Sequence, residues 1–164
     1  MTTTCYVIDA SSLIELKRMN PMDIYPGVWK RLSELVNAGL LCAPMEVKRE
    51  LKEGDDDLFQ WAVQNNRMFT PCSDQLERKV AEIMERFPSM IDSDKEDPAA
   101  DPFVVALALV KDPQQKLMPS GDARVVVSEE KLKGNKIKIP FVCLRYGIEC
   151  ITIHEMFRRE GWTF

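Results

Sequence analysis

Short, mostly apolar runs with β-type composition recur along this chain, and segments with helical spacing of apolar positions separate them. The runs lie at 6–8, 40–43, 124–128 and 148–153. Strands buried on both faces of a parallel sheet have continuous apolar sequences, whereas strands with one face in water alternate. The pattern therefore predicts an α/β fold, a three-layer α/β/α sandwich with a central parallel sheet and helices on both faces.

The segments between these runs indicate helices. Gly39 ends one helical pattern, Pro44 fits the first turn of the next, and Pro88 follows another. An extended turn is predicted at 69–71. With 164 residues, 45% of them hydrophobic, and no internal repeat, we expect residues 1–164 to form a single domain. The predicted helices lie at 11–16, 28–38, 44–52, from 58, 75–87, 99–110, after 143, and 154–159.

Composition excludes several classes of function. Only one histidine is present, so a ribonuclease with two imidazoles as acid and base is ruled out. The five cysteines form no C-x-x-C pair, which argues against a zinc site or a disulfide framework. A formal charge of −4 argues against bulk electrostatic binding of nucleic acid. The longest apolar run, 103–110, is too short to span a bilayer, and no signal peptide is evident, so we expect a cytoplasmic protein without membrane attachment.

Carboxylates lie at the predicted carboxyl edge of the sheet, where ligands of parallel α/β proteins bind. Asp9 follows the first strand, and Glu130 follows the strand at 124–128. Glu50 and Asp101 lie on predicted helices that can pack beside this edge. Four converging carboxylates repel one another unless cations neutralise them, and ligation by oxygen alone suits Mg²⁺ or Mn²⁺. The sequence therefore predicts a divalent-metal site.

At these residues the chain resembles PIN-domain nucleases, most closely a toxin-like subfamily of bacteria and archaea. The resemblance covers nearly the whole chain and depends on the order and spacing of four motifs. It implies a PIN-like version of the predicted sandwich. The four motifs are Tyr6-Val7-Ile8-Asp9-Ala10-Ser11-Ser12, Glu46-Val47-Lys48-Arg49-Glu50-Leu51, Ala100-Asp101-Pro102 with the apolar helix after it, and Val126-Val127-Ser128-Glu129-Glu130.

The resemblance implies a role for each matching polar residue. Asp9, Glu50 and Asp101 correspond to the three invariant acids of the family. Glu130 stands where many members have aspartate, and its longer side chain can reach a metal directly or through water. The remaining matches are two hydroxyls, Ser11 beside the first acid and Ser128 in the last motif.

The function implied is that of an endoribonuclease that hydrolyses RNA phosphodiester bonds with Mg²⁺ or Mn²⁺ and is the toxin of a toxin–antitoxin pair. The expected partners are an RNA substrate, a cognate antitoxin protein and a second copy of the chain in a homodimer. One alternative is a phosphatase that forms an aspartyl-phosphate at Asp9, although such enzymes usually have an aspartate where this chain has Ser11. Another is a degenerate PIN fold that serves as a non-catalytic binding module.

Structural interpretations of the individual acids also exist. Asp9 is suited to cap a helix beginning near Ser11, and Asp101 before Pro102 matches an N-cap followed by proline. Glu50 resembles a residue on an ordinary solvated helix face. Glu46, one turn earlier, is either an additional ligand or a surface residue, and the surface interpretation is favoured.

A lysine-rich segment follows Glu130. Lys131, Lys133, Lys136 and Lys138 are candidate contacts to the RNA backbone, with ordinary exposed lysines as the alternative. The acids at 55–57 and 92–97 are interpreted as solvated turns, and His154 as a structural residue.

Overall fold

The computed structural model describes residues 4–90, 100–110, 124–131 and 138–164. It contains a sheet of five parallel strands in the order β3-β2-β1-β4-β5. Helices flank this sheet in a three-layer α/β/α arrangement, so the predicted fold class is confirmed. The strands are β1 (Cys5–Ile8), β2 (Leu41–Pro44), β3 (Phe69–Thr70), β4 (Arg124–Val127) and β5 (Cys150–Ile151).

The strand order places a topological switch point at β1. The chain adds β2 and β3 on one side of β1 and then returns to add β4 and β5 on the other side. In the register of the central pair, Ile8 lies opposite Val127. Open α/β sheets bind ligands outside the carboxyl ends of their strands at such a switch point. The crevice beyond Ile8 and Val127 is therefore the place where this fold favours a site.

Helices connect the strands. Pro26 and Pro140 stand in the first turns of α2 and α7, where a missing backbone N–H costs nothing. Gly147 ends α7 with φ of 71°, a left-handed conformation that favours glycine. The helices are α1 (Ala10–Met19), α2 (Pro26–Asn37), α3 (Met45–Lys52), α4 (Asp56–Gln64), α5 (Asp74–Arg86), α6 (Asp101–Leu109), α7 (Ile139–Tyr146) and α8 (Ile153–Glu160).

Helix α6 is an interior helix, and its burial positions the site. Its residues Val104, Val105, Ala106 and Leu107 are buried, and the helix contacts β1, β2 and β4. A helix that is apolar on all sides must pack in the core. The first residue of α6, Asp101, is therefore held beside the carboxyl ends of the central strands.

Several local predictions differ from the structure. Phe69 and Thr70 form the edge strand β3, paired with Ala43 and Pro44, where an extended turn was predicted. Pro44 ends β2 and occupies the N-cap position of α3 rather than its first turn. Within the described ranges, no helix has the length and apolar character needed to cross a membrane.

Candidate metal centre

Three carboxylates meet at the switch-point crevice. Asp9 directly follows β1, Glu130 follows β4 by three residues, and Asp101 begins α6. One carboxylate oxygen from each lies within 4.8 Å of the others. Residues that are far apart in sequence are thus brought together because the two central strands and the interior helix end at one edge.

Asp9 is fixed by two serine hydroxyls. The side chains of Ser11 and Ser128 both donate hydrogen bonds to Asp9 Oδ2, over 2.7 and 3.1 Å. Asp9 is only 2% exposed, so this carboxylate has little access to water. The hydroxyls replace part of the hydration that burial removes.

Backbone amides orient these hydroxyls. The N–H of Glu129 donates to Ser11 Oγ at 3.1 Å, and the N–H of Glu130 donates to Ser128 Oγ at 3.2 Å. Because each oxygen already accepts a hydrogen bond, its own proton is free to point towards Asp9. The turn after β4 therefore sets the geometry of the first acid.

Two of the other three predicted acids accept hydrogen bonds from backbone N–H groups at or next to the start of a helix. Glu130 Oε2 accepts a hydrogen bond of 3.1 Å from the N–H of Ile139, the first residue of α7. Glu50 Oε1 accepts from the N–H of Ala100, just before α6, at 3.2 Å. Glu50 thus lies at the margin of the centre, outside the group of three whose oxygens lie within 4.8 Å.

Burial and neighbouring carboxylates raise the pKa values of two acids of the centre, Asp101 and Asp9. The pKa of Asp101 is raised from 3.8 to about 8 by burial, by the charges of Asp9, Glu130 and Glu50, and by a hydrogen bond to Glu130. The pKa of Asp9 is raised to about 6, mainly by burial and also by Glu130 and Glu50, against the lowering effect of the serine hydroxyls. A dication among these oxygens would favour the ionised forms, and a donor set of carboxylates fits a hard ion such as Mg²⁺ or Mn²⁺.

The two helix-capping interpretations have different outcomes. Asp9 occupies the N-cap position of α1 as that interpretation expects, but its side chain makes no capping hydrogen bond and accepts from Ser11 and Ser128 instead. Asp101 is the first residue of α6, where Ala100 is the N-cap, so it is not a cap. Both carboxylates are therefore available to the centre.

The favoured interpretation of Glu46 as a surface residue is also wrong. Glu46 is 6% exposed, and its Oε2 is buried without a hydrogen-bond partner. Burial raises the pKa of this carboxyl, against the lowering effects of a hydrogen bond to its own backbone and the charge of Arg49. Glu46 is nevertheless not a member of the three-acid group.

The lysines of the predicted RNA contact are only partly described. Lys131 is exposed immediately after Glu130, and Lys138 is half-buried at the N-cap position of α7. Lys133 and Lys136 lie outside the described residues. The RNA contact stays a prediction.

Sequence reasoning missed Glu129. Its Oε1 accepts hydrogen bonds from Ser12 Oγ at 3.2 Å and from the N–H of Ile153 at 2.7 Å. It therefore links the end of β4 to α1 and to the start of α8. Its position between Ser128 and Glu130 was the only signal, because the partner at Ile153 is 24 residues away.

Comparison with known sequences gives a family but no activity. Among curated proteins, no sequence matches the chain. The model of a family described as "Domain of unknown function (DUF4411)" matches residues 6–164, which include all the acids of the candidate centre. The chain therefore belongs to the DUF4411 family.

Proposed function

We propose that this chain is a PIN-like endoribonuclease that hydrolyses RNA phosphodiester bonds with Mg²⁺ or Mn²⁺. The observation that carries the proposal is the convergence of Asp9, Asp101 and Glu130 within 4.8 Å at the switch point of the sheet. Their mutual repulsion is a cost to the folded protein that a bound dication would remove. Perturbed pKa values of this kind concentrate at functional sites.

Each residue of the centre has a distinct role in the proposed reaction. Asp9, Asp101 and Glu130 supply oxygen ligands, and Glu50 adds negative charge at the margin. Ser11 and Ser128 keep Asp9 in one orientation, as residues behind metal ligands commonly do. A divalent ion supplies stabilisation of charge on the phosphate and lowers the pKa of water. No histidine is required for this chemistry.

The cellular part of the proposal comes from the resemblance to toxin-like PIN nucleases. We infer a cytoplasmic toxin that acts on RNA as a homodimer and is neutralised by a cognate antitoxin. Exposed Lys131, directly after Glu130, is suited to contact the RNA backbone beside the centre.

Cleavage of a labelled RNA by the purified chain tests the proposal. We expect cleavage with Mg²⁺ or Mn²⁺ and none with EDTA. Asp101→Asn should lower the rate by roughly 100-fold or more, since several kcal/mol of charge stabilisation depend on the ion. Asp56→Asn, the same change at an exposed residue of α4, should leave the rate unchanged.

Two other outcomes would overturn the proposal. Binding of Mn²⁺ in calorimetry without any cleavage of RNA would indicate a binding module. A phosphorylated Asp9 trapped from a phosphate ester would indicate a phosphatase. Circular dichroism of each variant establishes whether a lost activity is due to unfolding.

A further inference from the structure

A cavity opens beside the candidate metal centre, between α1, the end of β4 and the start of α8. Its volume is about 390 Å³, which lies within the usual range of small-ligand sites. Met19, whose side chain is 51% exposed, supplies apolar surface, with the buried Leu16 and Ile153 behind it, and Glu129 and Lys131 supply charged groups. The cavity therefore combines apolar surface with groups that can orient a ligand.

The cavity and the metal centre share one turn of backbone. Glu129 lines the cavity, while its own N–H donates to Ser11 Oγ in the centre. The next residue, Glu130, contributes a carboxylate to the centre. A nucleic-acid strand with one phosphate at the centre would thus present the adjoining nucleotide to this cavity.

The side of the cavity formed by Glu129 favours a ligand that donates hydrogen bonds. The carboxylate of Glu129 is held in place by Ser12 and by the N–H of Ile153, and a carboxylate can only accept. The other acid of the lining, Glu15, is engaged by the guanidinium of Arg18. Asn20 and His154 complete the polar lining, and Glu129 is the charged acceptor that the cavity offers to a ligand.

The nucleobases differ in what they offer to such an acceptor. Cytosine carries an exocyclic amino group that donates to carboxylates, whereas thymine-type bases such as uracil carry a carbonyl oxygen at the same position. Where this exocyclic position of the ring faces Glu129, the carboxylate attracts the amino group of cytosine and repels the carbonyl of uracil. The side chain of Met19, which is 51% exposed and lines the cavity, can pack against either ring and does not discriminate cytosine from uracil.

We propose that this cavity binds the nucleobase next to the scissile phosphate and that Glu129 makes it prefer bases with an exocyclic amino group over uracil. The inference deepens the proposed function and depends on it for RNA as the substrate. Lys131, an exposed residue of the cavity lining, would contact the phosphate of the same nucleotide.

Binding of free nucleosides tests the cavity without using the metal centre. The full chain, labelled with ¹³C at its methionine methyls, is titrated with cytidine or uridine in EDTA and followed by NMR. Met19→Leu assigns the Met19 signal. We expect cytidine to shift that signal and to bind about tenfold more tightly than uridine, the usual worth of one hydrogen bond to a charged group.

Two variants and a control separate recognition from folding. Glu129→Gln should abolish the preference for cytidine, whereas Glu82→Gln, on the exposed face of α5, should keep it. If Glu129→Gln does not fold, Met19→Trp provides the second measurement, because a larger ring at this exposed position should fill the cavity and abolish binding. Equal affinity for the two nucleosides, or no shift of Met19 with either, would overturn the inference.

The result is distinguishable from a failure of the nuclease proposal. Nucleosides carry no phosphate and EDTA removes the ion, so binding does not depend on cleavage. Cytidine binding without RNA cleavage would support the cavity and refute the nuclease. RNA cleavage with no nucleoside binding would refute the cavity alone.

Discussion

Asp9 and Asp55 occupy the same kind of position and have opposite environments. Each is an aspartate at the N-cap of a helix, Asp9 before α1 and Asp55 before α4. Asp55 caps its helix by accepting from the N–H of Leu58 at 2.9 Å, and it is paired with Lys17 at 2.9 Å. Asp9 makes neither contact and instead accepts from two hydroxyls inside the crevice.

The two pKa values move in opposite directions for these reasons. The hydrogen bond from Lys17 and then the backbone bond from Leu58 lower the pKa of Asp55. Burial, with smaller contributions from Glu130 and Glu50, raises the pKa of Asp9 to about 6. A capping aspartate contributes about 1 kcal/mol to helix stability, and Asp9 forgoes that gain. An acid that forgoes a cap and lies in a repulsive cluster is what the proposed metal centre requires of Asp9.

The largest difference between the two aspartates should be in catalysis. We expect Asp9→Asn to lower metal-dependent RNA cleavage by roughly 10²- to 10³-fold, because it removes a charged ligand from the centre. Asp55→Asn should leave cleavage within about twofold of the parent, since Asp55 is paired with Lys17 and does not belong to the group of three acids. Rates measured on one labelled RNA at saturating Mg²⁺ make the comparison. Equal rates for the parent and Asp9→Asn would remove Asp9 from the active site.

A pair of serines sharpens the same contrast with a smaller effect. Ser128 donates to Asp9, whereas Ser73 caps α5 by accepting from the N–H of Leu76. We expect Ser128→Ala to weaken Mn²⁺ binding by about 10- to 100-fold, as loss of a residue behind a metal ligand does. Ser73→Ala should cost about 1 kcal/mol of stability and leave Mn²⁺ affinity unchanged. Calorimetric titration with Mn²⁺ and thermal denaturation of both variants make the comparison. If Ser73→Ala weakened Mn²⁺ binding as much as Ser128→Ala, the role assigned to Ser128 would be wrong.

The sequence predicted those parts of the site that depend on strand composition. Continuous apolar runs fixed β1 and β4 as buried parallel strands, and parallel strands end at a common edge, so Asp9 and Glu130 could be placed together. The apolar sequence at 99–110 predicted the helix that begins near Asp101, and the resemblance identified the motif around that acid. The resemblance to PIN nucleases supplied the residues that composition alone left ambiguous.

Residues whose environment is made by distant segments could not be predicted. Glu46 lies in a run of charged residues on α3, and it is buried in a helix that contacts α1, α4, β2 and β3. Glu129 gains its role from Ile153 at the start of α8. The two-residue strand β3 carries too short a pattern to distinguish it from a turn. Each of these depends on tertiary packing rather than on local periodicity.

The smallest effect, and the one that tests the electrostatics directly, is the pH dependence of stability in EDTA. Asp101 has its pKa raised from 3.8 to about 8, so the folded state holds the proton more tightly than the unfolded state and loses stability as the pH rises through this interval. Asp55 has a lowered pKa, so its stabilising contribution is present above its ordinary pKa and is lost on acidification. At about pH 8, Asp101→Asn should therefore raise Tm and Asp55→Asn should lower it, each by about 2–4 °C per kcal/mol.

The same variants can be compared with the ion present. Millimolar Mg²⁺ should raise the Tm of the parent and of Asp55→Asn but not that of Asp101→Asn, because the acids of the centre couple ion binding to folding. A lower Tm for Asp101→Asn in EDTA at this pH would mean that the acids stabilise one another without an ion, and the argument for a metal centre from their repulsion would fail.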